Sequence, residues 1–164
     1  MNPIGDGRGY GVARRTLILA LNALADLPPR SFILVGAQAV YLRAPNPVVA
    51  IPPFTLDGDL VADPSRIGRP QLILDRLEAN GFELRDNRAG LYRLANAAEE
   101  DLYASRIDIL VPEGDAHRWD AVGYNMRGIS ATMRQDGLEL TLVDHSTMTL
   151  RPIENVRRTL RTRR

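Results

Sequence analysis

Apolar residues recur at helical spacing near the N-terminus and then form short runs of strand length. Leucines three or four residues apart predict a first helix over residues 12–27. An apolar run at 31–36 predicts a strand, and a short helical stretch follows at 37–43. Four prolines between Pro45 and Pro53 then predict an irregular loop.

The rest of the chain mixes strand and helix patterns. Gly68-Arg69-Pro70 is typical of a helix start and Asn80-Gly81 of a helix end. The next two strands are separated by a turn-rich pentapeptide, which predicts a hairpin. We therefore expect an α/β (α+β) fold, with a mixed sheet and helices packed largely on one face. The predicted strands are 54–62, 82–85, 91–94, 106–111 and 138–143, and short helices are predicted after Asp115 and from Pro152.

Length and composition predict one globular domain over residues 1–164. Hydrophobic residues make up 45% of the chain and charged residues 25%, as in ordinary folded proteins. The glycine-rich residues 1–11 are expected to form a flexible leader. Residues 151–164 hold six arginines and one glutamate, which predicts a basic C-terminal helix. Such a helix either contacts phosphates or is an ordinary solvated face.

Missing residue types exclude several chemistries. All 21 basic residues are arginine, so no lysine nucleophile, Schiff base or P-loop lysine is available. The chain has no cysteine, which excludes disulfides, zinc–thiolate sites and thiol catalysis. No segment has the pattern of a signal peptide or a membrane span. We expect a cytoplasmic protein with no membrane partner.

Acidic residues interrupt two apolar strand patterns. Asp57 and Asp59 are two residues apart, so on a strand they point to the same face. Side-by-side carboxylates repel each other unless a cation lies between them, and hard cations such as Mg²⁺ prefer carboxylate oxygens. Asp108 stands in the middle of a second apolar strand. If the two strands are neighbours, the three carboxylates converge and can hold two metal ions.

An ordinary structural explanation competes with this one. Asp57-Gly58-Asp59 could form a turn, in which Asp caps the backbone and Gly supplies a positive φ. Asp108 could lie on the polar face of an edge strand.

These segments, taken in order, resemble the polymerase-β-type nucleotidyltransferase superfamily. The resemblance is to its minimal, toxin-like members, which are related to abortive-infection toxins. It rests on the strand, glycine and helix start at Leu34-Val35-Gly36-Ala37, on Thr55 and Asp57-Gly58-Asp59, and on Ile107-Asp108-Ile109. It covers roughly residues 31–111.

The resemblance implies a role for each motif. Gly36 and Ala37, at a helix N-terminus, would face the triphosphate of a nucleoside triphosphate, and Thr55 would belong to the same site. Asp57 and Asp59 would hold the Mg²⁺ ions, and Asp108 would complete the metal site and help to deprotonate the acceptor hydroxyl. Triphosphate contacts would come from Arg43, Arg66 or Arg69.

Three functions follow as hypotheses. The first is a Mg²⁺-dependent nucleotidyltransferase acting on a hydroxyl of tRNA or of a protein, as the toxin of a toxin–antitoxin pair with an antitoxin partner. The second is a catalytically degenerate module that binds a nucleotide or a protein. It is favoured by Ala37, where Gly or Ser is usual, and by Gly58, where a hydrophobic residue is usual. The third is a small α/β protein with purely structural aspartates.

Overall fold

The computed structural model describes residues 8–43, 55–88, 90–115, 133–142, 146–147 and 150–151. The helices are α1 (Arg8–Ala23), α2 (Gly36–Arg43) and α3 (Gln71–Ala79). The strands are β1 (Phe32–Val35), β2 (Asp57–Ala62), β3 (Phe82–Leu84), β4 (Leu91–Leu94), β5 (Arg106–Pro112) and β6 (Met133–Gln135).

The strands form one mixed sheet with the order β1-β2-β5-β4-β3. β2 and β5 are parallel neighbours, whereas β1 pairs with β2, β4 with β5 and β3 with β4 in antiparallel fashion. β6 pairs in parallel with the last three residues of β5. The sheet and its helices confirm the predicted α/β fold class, and β3 with β4 confirms the predicted hairpin.

One face of the sheet packs against α1 and α3 and forms the hydrophobic core. Because successive strand residues point to opposite faces, alternate residues of β2 and β5 point into this core. The fully or nearly fully buried members of this alternation are Gly58, Leu60, Ala62, Ile107, Ile109 and Val111. The residues between them in the first halves of β2 and β5 are half-buried and point to the opposite face.

Several boundaries differ from those expected. Residues 8–11, expected to be part of a flexible leader, form the first turn of α1, where Tyr10 packs edge-on against Tyr41. The expected strand 138–143 is wrong for its central residues, because Glu139–Leu142 form a single helical turn. The carbonyl of Leu138 accepts hydrogen bonds from the amide and the hydroxyl of Thr141, which favours a local turn over a strand.

One strand was not predicted, and several predicted segments cannot be compared with the structure. β6 was not expected, because Met133–Gln135 is too short for an alternating pattern to be visible. The predicted helices after Asp115 and from Pro152, and residues 1–7 of the leader, lie outside the described residues apart from a first turn at 113–115. Within the described ranges, none of the helices combines the length and apolar character that crossing a membrane requires.

Gly58 is required by the packing of α1 on the sheet. A Cβ atom at this position would lie 3.0 Å from Ile107 Cδ1 and 3.1 Å from Leu17 Cδ1. We expect Gly58→Val to lower the free energy of unfolding by about 1–3 kcal/mol, because the core has no room for the side chain. Chemical denaturation measures this loss, and Gly68→Val is the control, since nothing lies within 4 Å of a Cβ at Gly68.

Leu17→Ala tests whether this overlap is the cause of the loss. In the double variant with Gly58→Val, the two destabilisations should be less than additive, because the new side chain fills the space that Leu17 leaves. Strict additivity would show that the side chain at position 58 does not compete with Leu17.

Candidate metal centre

Three carboxylates converge where β2 and β5 begin. Asp59 is the direct register partner of Asp108 across the parallel pair, and Asp57 is two residues earlier on β2. One oxygen from each of the three carboxylates lies within 4.8 Å of the others. The structure therefore confirms the convergence that was expected if the two strands were neighbours.

The competing structural explanation of these aspartates is wrong. Asp57 and Asp59 lie within β2, which pairs with β1 on one side and with β5 on the other. Asp108 lies within β5, which pairs with β2 and β4. None of the three residues is in a turn or on an edge strand, so neither capping nor edge solvation explains them.

The first residue of α2 lies against Asp59. Gly36 has a φ of +66°, and a Cβ atom built on it would lie 2.1 Å from Asp59 Oδ2. Glycine is therefore needed here for two reasons, since a side chain would be strained and would overlap the carboxylate. This close approach places the N-terminus of α2, with its free N–H groups, beside the carboxylate cluster.

A buried chain of hydrogen bonds from α1 and α2 holds the backbone of Asp57 in place. Gln38 is fully buried and donates from Nε2 to the backbone carbonyl of Asp57 at 3.3 Å. Arg14 on α1 donates from Nε to Gln38 Oε1 at 2.8 Å and from Nη2 to the hydroxyl of Tyr10. The side chain of Asp57 is held separately, because Thr55 Oγ1 donates to Asp57 Oδ1 at 2.9 Å. Helices α1 and α2 are thus tied to the start of β2.

The cluster is electrostatically unfavourable without a cation. Burial, followed by repulsion from Asp57 and Asp108, raises the pKa of the Asp59 carboxyl to about 6. Burial also raises the pKa of Asp108, and repulsion from Asp57 adds to this rise. The positive charge of Arg85 opposes the rise most strongly, and Arg106 and Arg88 act in the same direction as Arg85.

The donor set fits a hard divalent cation. All three groups are carboxylates, which such ions prefer as ligands. Asp108 Oδ1 is a buried oxygen to which no described residue donates a hydrogen bond. A buried acceptor without a donor is costly, and a cation at this point would satisfy it. These three residues could therefore hold a metal ion.

The raised pKa of Asp59 predicts how the stability of the metal-free protein depends on pH. Its folded-state pKa of about 6 exceeds the ordinary value of 3.8, so the folded state binds the proton more tightly than the unfolded state. The contribution of Asp59 to stability therefore falls as pH rises from about 4 to about 6 and then stays constant. We expect a loss of about 1–2 kcal/mol, after allowing for solvent screening of this half-buried group.

Thermal melts in a chelator, from pH 4 to pH 8, measure this dependence. Because other groups also titrate, the quantity to follow is the difference between the wild type and Asp59→Asn. That difference should grow up to about pH 6 and then level off. A difference that does not change with pH would contradict the electrostatic account.

The arginines expected at the site lie elsewhere or make other contacts. Arg43 is exposed at the end of α2, and its guanidinium donates to Ser146 Oγ. Arg66 pairs with Asp63 at 3.1 Å, just after β2. Arg69 is exposed in the segment before α3. None of these three arginines contributes to the pKa shift of Asp59 or of Asp108.

Two site residues were missed by the sequence reasoning. Arg85 follows β3, and its Nη2 lies 3.9 Å from Asp108 Oδ1. It reaches the site because the register pairs Leu91 of β4 with Asp108. Gln38 had a visible signal, since it is a polar residue within the apolar stretch of α2, but its partner Asp57 could be identified only in the fold.

Comparison with known proteins finds no match. No protein-family model, no curated protein and no solved structure matches the chain. The site's own residues and geometry are therefore the basis for any functional assignment.

Proposed function

We propose that the chain is a Mg²⁺-dependent nucleotidyltransferase that moves a nucleoside monophosphate from a nucleoside triphosphate to a hydroxyl acceptor. The observation that carries the proposal is the convergence of Asp57, Asp59 and Asp108 beside Gly36 at the N-terminus of α2. Carboxylates bind hard cations and free helix N–H groups bind phosphate. The cluster and the adjacent helix N-terminus together therefore suit both the metal ion and the triphosphate of a metal–nucleotide complex.

Each residue has a distinct task in this reaction. Asp57 and Asp59 would hold Mg²⁺ for the triphosphate, and the hydrogen bond from Thr55 fixes the orientation of the Asp57 carboxylate. Asp108 completes the metal site and accepts the proton of the attacking hydroxyl. The hydroxyl oxygen bonds to the α-phosphorus while the bond to pyrophosphate breaks. Mg²⁺, one or two ions if bound by these residues, would supply positive charge that offsets the negative charge of the transition state.

The acceptor that we propose is RNA, specifically tRNA, with a protein hydroxyl as the other acceptor class. The six arginines of residues 151–164 suit an RNA acceptor, because arginine contacts phosphates without regard to sequence. A role as the toxin of a toxin–antitoxin pair in the cytoplasm would fit this activity.

Labelled nucleotide transfer tests the proposal. Purified protein is incubated with Mg²⁺ and each nucleoside triphosphate labelled at the α-phosphate, with and without total tRNA. Asp57→Asn is the inactive variant, and Asp75→Asn is the matched control, because Asp75 is an exposed residue of α3 whose Oδ1 accepts a hydrogen bond from Gln71. Label in RNA or protein with the wild type and Asp75→Asn only would support the proposal.

A catalytically degenerate module is the alternative outcome. Ala37 stands where Gly or Ser is usual in the superfamily that the chain resembles, so the phosphate contact of a Ser hydroxyl is absent, and this favours binding without chemistry. Mg²⁺-dependent nucleotide binding that requires Asp57, without transfer to any acceptor, would identify such a module. Absence of both binding and transfer would overturn the proposed function.

A further inference from the structure

Arg85 occupies an unusual place for an arginine near a hairpin connection. It directly follows β3, where long charged side chains ordinarily extend into solvent. Its side chain is nevertheless only 17% exposed and points towards the carboxylate cluster, with Nη2 3.9 Å from Asp108 Oδ1. The amide of Ile109 donates to the carbonyl of Gly90 at 2.7 Å, which holds the connection against β5 beside Asp108.

The contact between Arg85 and Asp108 is an ion pair without a hydrogen bond. Asp108 Oδ1 has no hydrogen-bond donor among the described residues, although the guanidinium is nearby. A guanidinium carries five N–H donors in a planar fork that matches two oxygens of a carboxylate or a phosphate. No other described carboxylate lies within ion-pair distance of Arg85, so its donors remain available to a further anionic group at the site.

The charges of two other arginines, like that of Arg85, counteract the rise in the pKa of the Asp108 carboxyl. Arg88 belongs to the same connection as Arg85, and Arg106 is the register partner of Asp57 on β5. Once cations offset the three carboxylates, the arginines leave an excess of positive charge on this side of the cluster. Such a field suits a polyanion such as a triphosphate.

We propose that Arg85 binds a phosphate group of the nucleoside triphosphate at the three-carboxylate site. This inference rests on the proposed function and deepens it by naming a phosphate ligand on the β3–β4 connection. In the substrate-free protein Arg85 faces Asp108. In the complex its fork donates to phosphate oxygens, and Asp108 is left to the cation.

Binding of inorganic tripolyphosphate in the presence of Mg²⁺ tests the inference without requiring the identity of the base. Isothermal titration compares the wild type with Arg85→Lys and Arg85→Gln. Arg76→Lys is the matched control, because Arg76 lies on α3, where its Nε pairs with Asp26 at 2.6 Å. We expect both Arg85 variants to bind tripolyphosphate about tenfold or more weakly, since the bidentate hydrogen bonds are lost, and Arg76→Lys to bind as the wild type does.

Arg85→Lys separates phosphate binding from simple charge compensation. Lysine keeps the positive charge beside Asp108, so if Arg85 only offsets that charge, Arg85→Lys should bind tripolyphosphate as well as the wild type. That result would overturn the inference and leave the proposed function intact. Thermal melts show whether each variant is folded, and Arg85→Lys serves alone if Arg85→Gln does not fold. A wild type that shows no Mg²⁺-dependent tripolyphosphate binding would also overturn the inference, and the nucleotide-transfer assay decides separately whether the proposed function stands.

Discussion

Asp59→Asn is expected to stabilise the metal-free protein while removing one ligand of the proposed metal site. The carboxyl of Asp59 is disfavoured by burial and by repulsion from Asp57 and Asp108, and an amide removes its negative charge. At pH 8 in a chelator, we expect the free energy of unfolding to rise by about 1–2 kcal/mol. This value is smaller than the pKa shift alone would give, because solvent partly screens the carboxylate. The melting temperature should then increase by roughly 2–8 °C for a domain of this size.

The same change should abolish the proposed Mg²⁺ binding and nucleotide transfer. Loss of a second-shell partner of a metal ligand costs about 10–100-fold in metal affinity or activity, so loss of a ligand itself should cost more. Mg²⁺ titration followed by calorimetry, together with the transfer assay, measures this effect. Added Mg²⁺ should stabilise the wild type and have no effect on Asp59→Asn.

The opposite signs of these two effects make the prediction specific. A variant that lost activity because it was misfolded would also lose stability, and Asp75→Asn should change neither quantity. If Asp59→Asn were destabilised in the chelator and still stabilised by Mg²⁺, the carboxylate would be a structural group and the metal would bind elsewhere.

Gly36→Ala is the second change with a large expected effect. Alanine at a φ of +66° is strained by roughly 1–2 kcal/mol. Its Cβ would also lie 2.1 Å from Asp59 Oδ2, so either α2 or the carboxylate must move. A displacement of about 1 Å in a reacting site costs on the order of 100-fold in rate. We therefore expect the transfer rate to fall by about that factor, with weaker Mg²⁺ binding.

Gly81→Ala separates strain from overlap. Gly81 has a φ of +82°, but nothing lies within 4 Å of a Cβ at this position. This variant should lose a similar free energy of unfolding, measured by denaturation, and keep its transfer rate. Equal rates for Gly36→Ala and the wild type would show that the close approach of α2 to Asp59 is not needed for the reaction.

The three aspartates were predictable because a strand has a period of two. Asp57 and Asp59 interrupt an apolar segment at that spacing, and Asp108 interrupts another, so both positions were visible in the sequence as polar residues within buried strands. Gly36 was also visible, through its place between an apolar strand and a helix. Each of these signals depends on residues that are close together along the chain, and such local patterns can be recognised in a single sequence.

The supporting residues were not predictable in the same way. Arg85 is separated from Asp108 by more than 20 residues, and the register of β4 on β5 brings them together. Gly58 stands where a hydrophobic residue was expected, but it is the position where Leu17 of α1 packs on the sheet. Both relations depend on which elements become neighbours, and the hydrophobic pattern does not specify this pairing uniquely.

The sequence by itself determined most of the element types, the mixed α/β class and the three carboxylates, because each depends on spacing within a few residues. It did not indicate β6 or the helical turn at Glu139–Leu142. Tertiary structure alone decided that β2 and β5 are parallel neighbours, that Asp59 lies level with Asp108, and that α2 begins against Asp59. Because the three carboxylates are partly buried and close together, they repel one another, and a cation would stabilise them. The physical reason is that solvation and charge–charge energies depend on distances through space, whereas sequence patterns record distances along the chain.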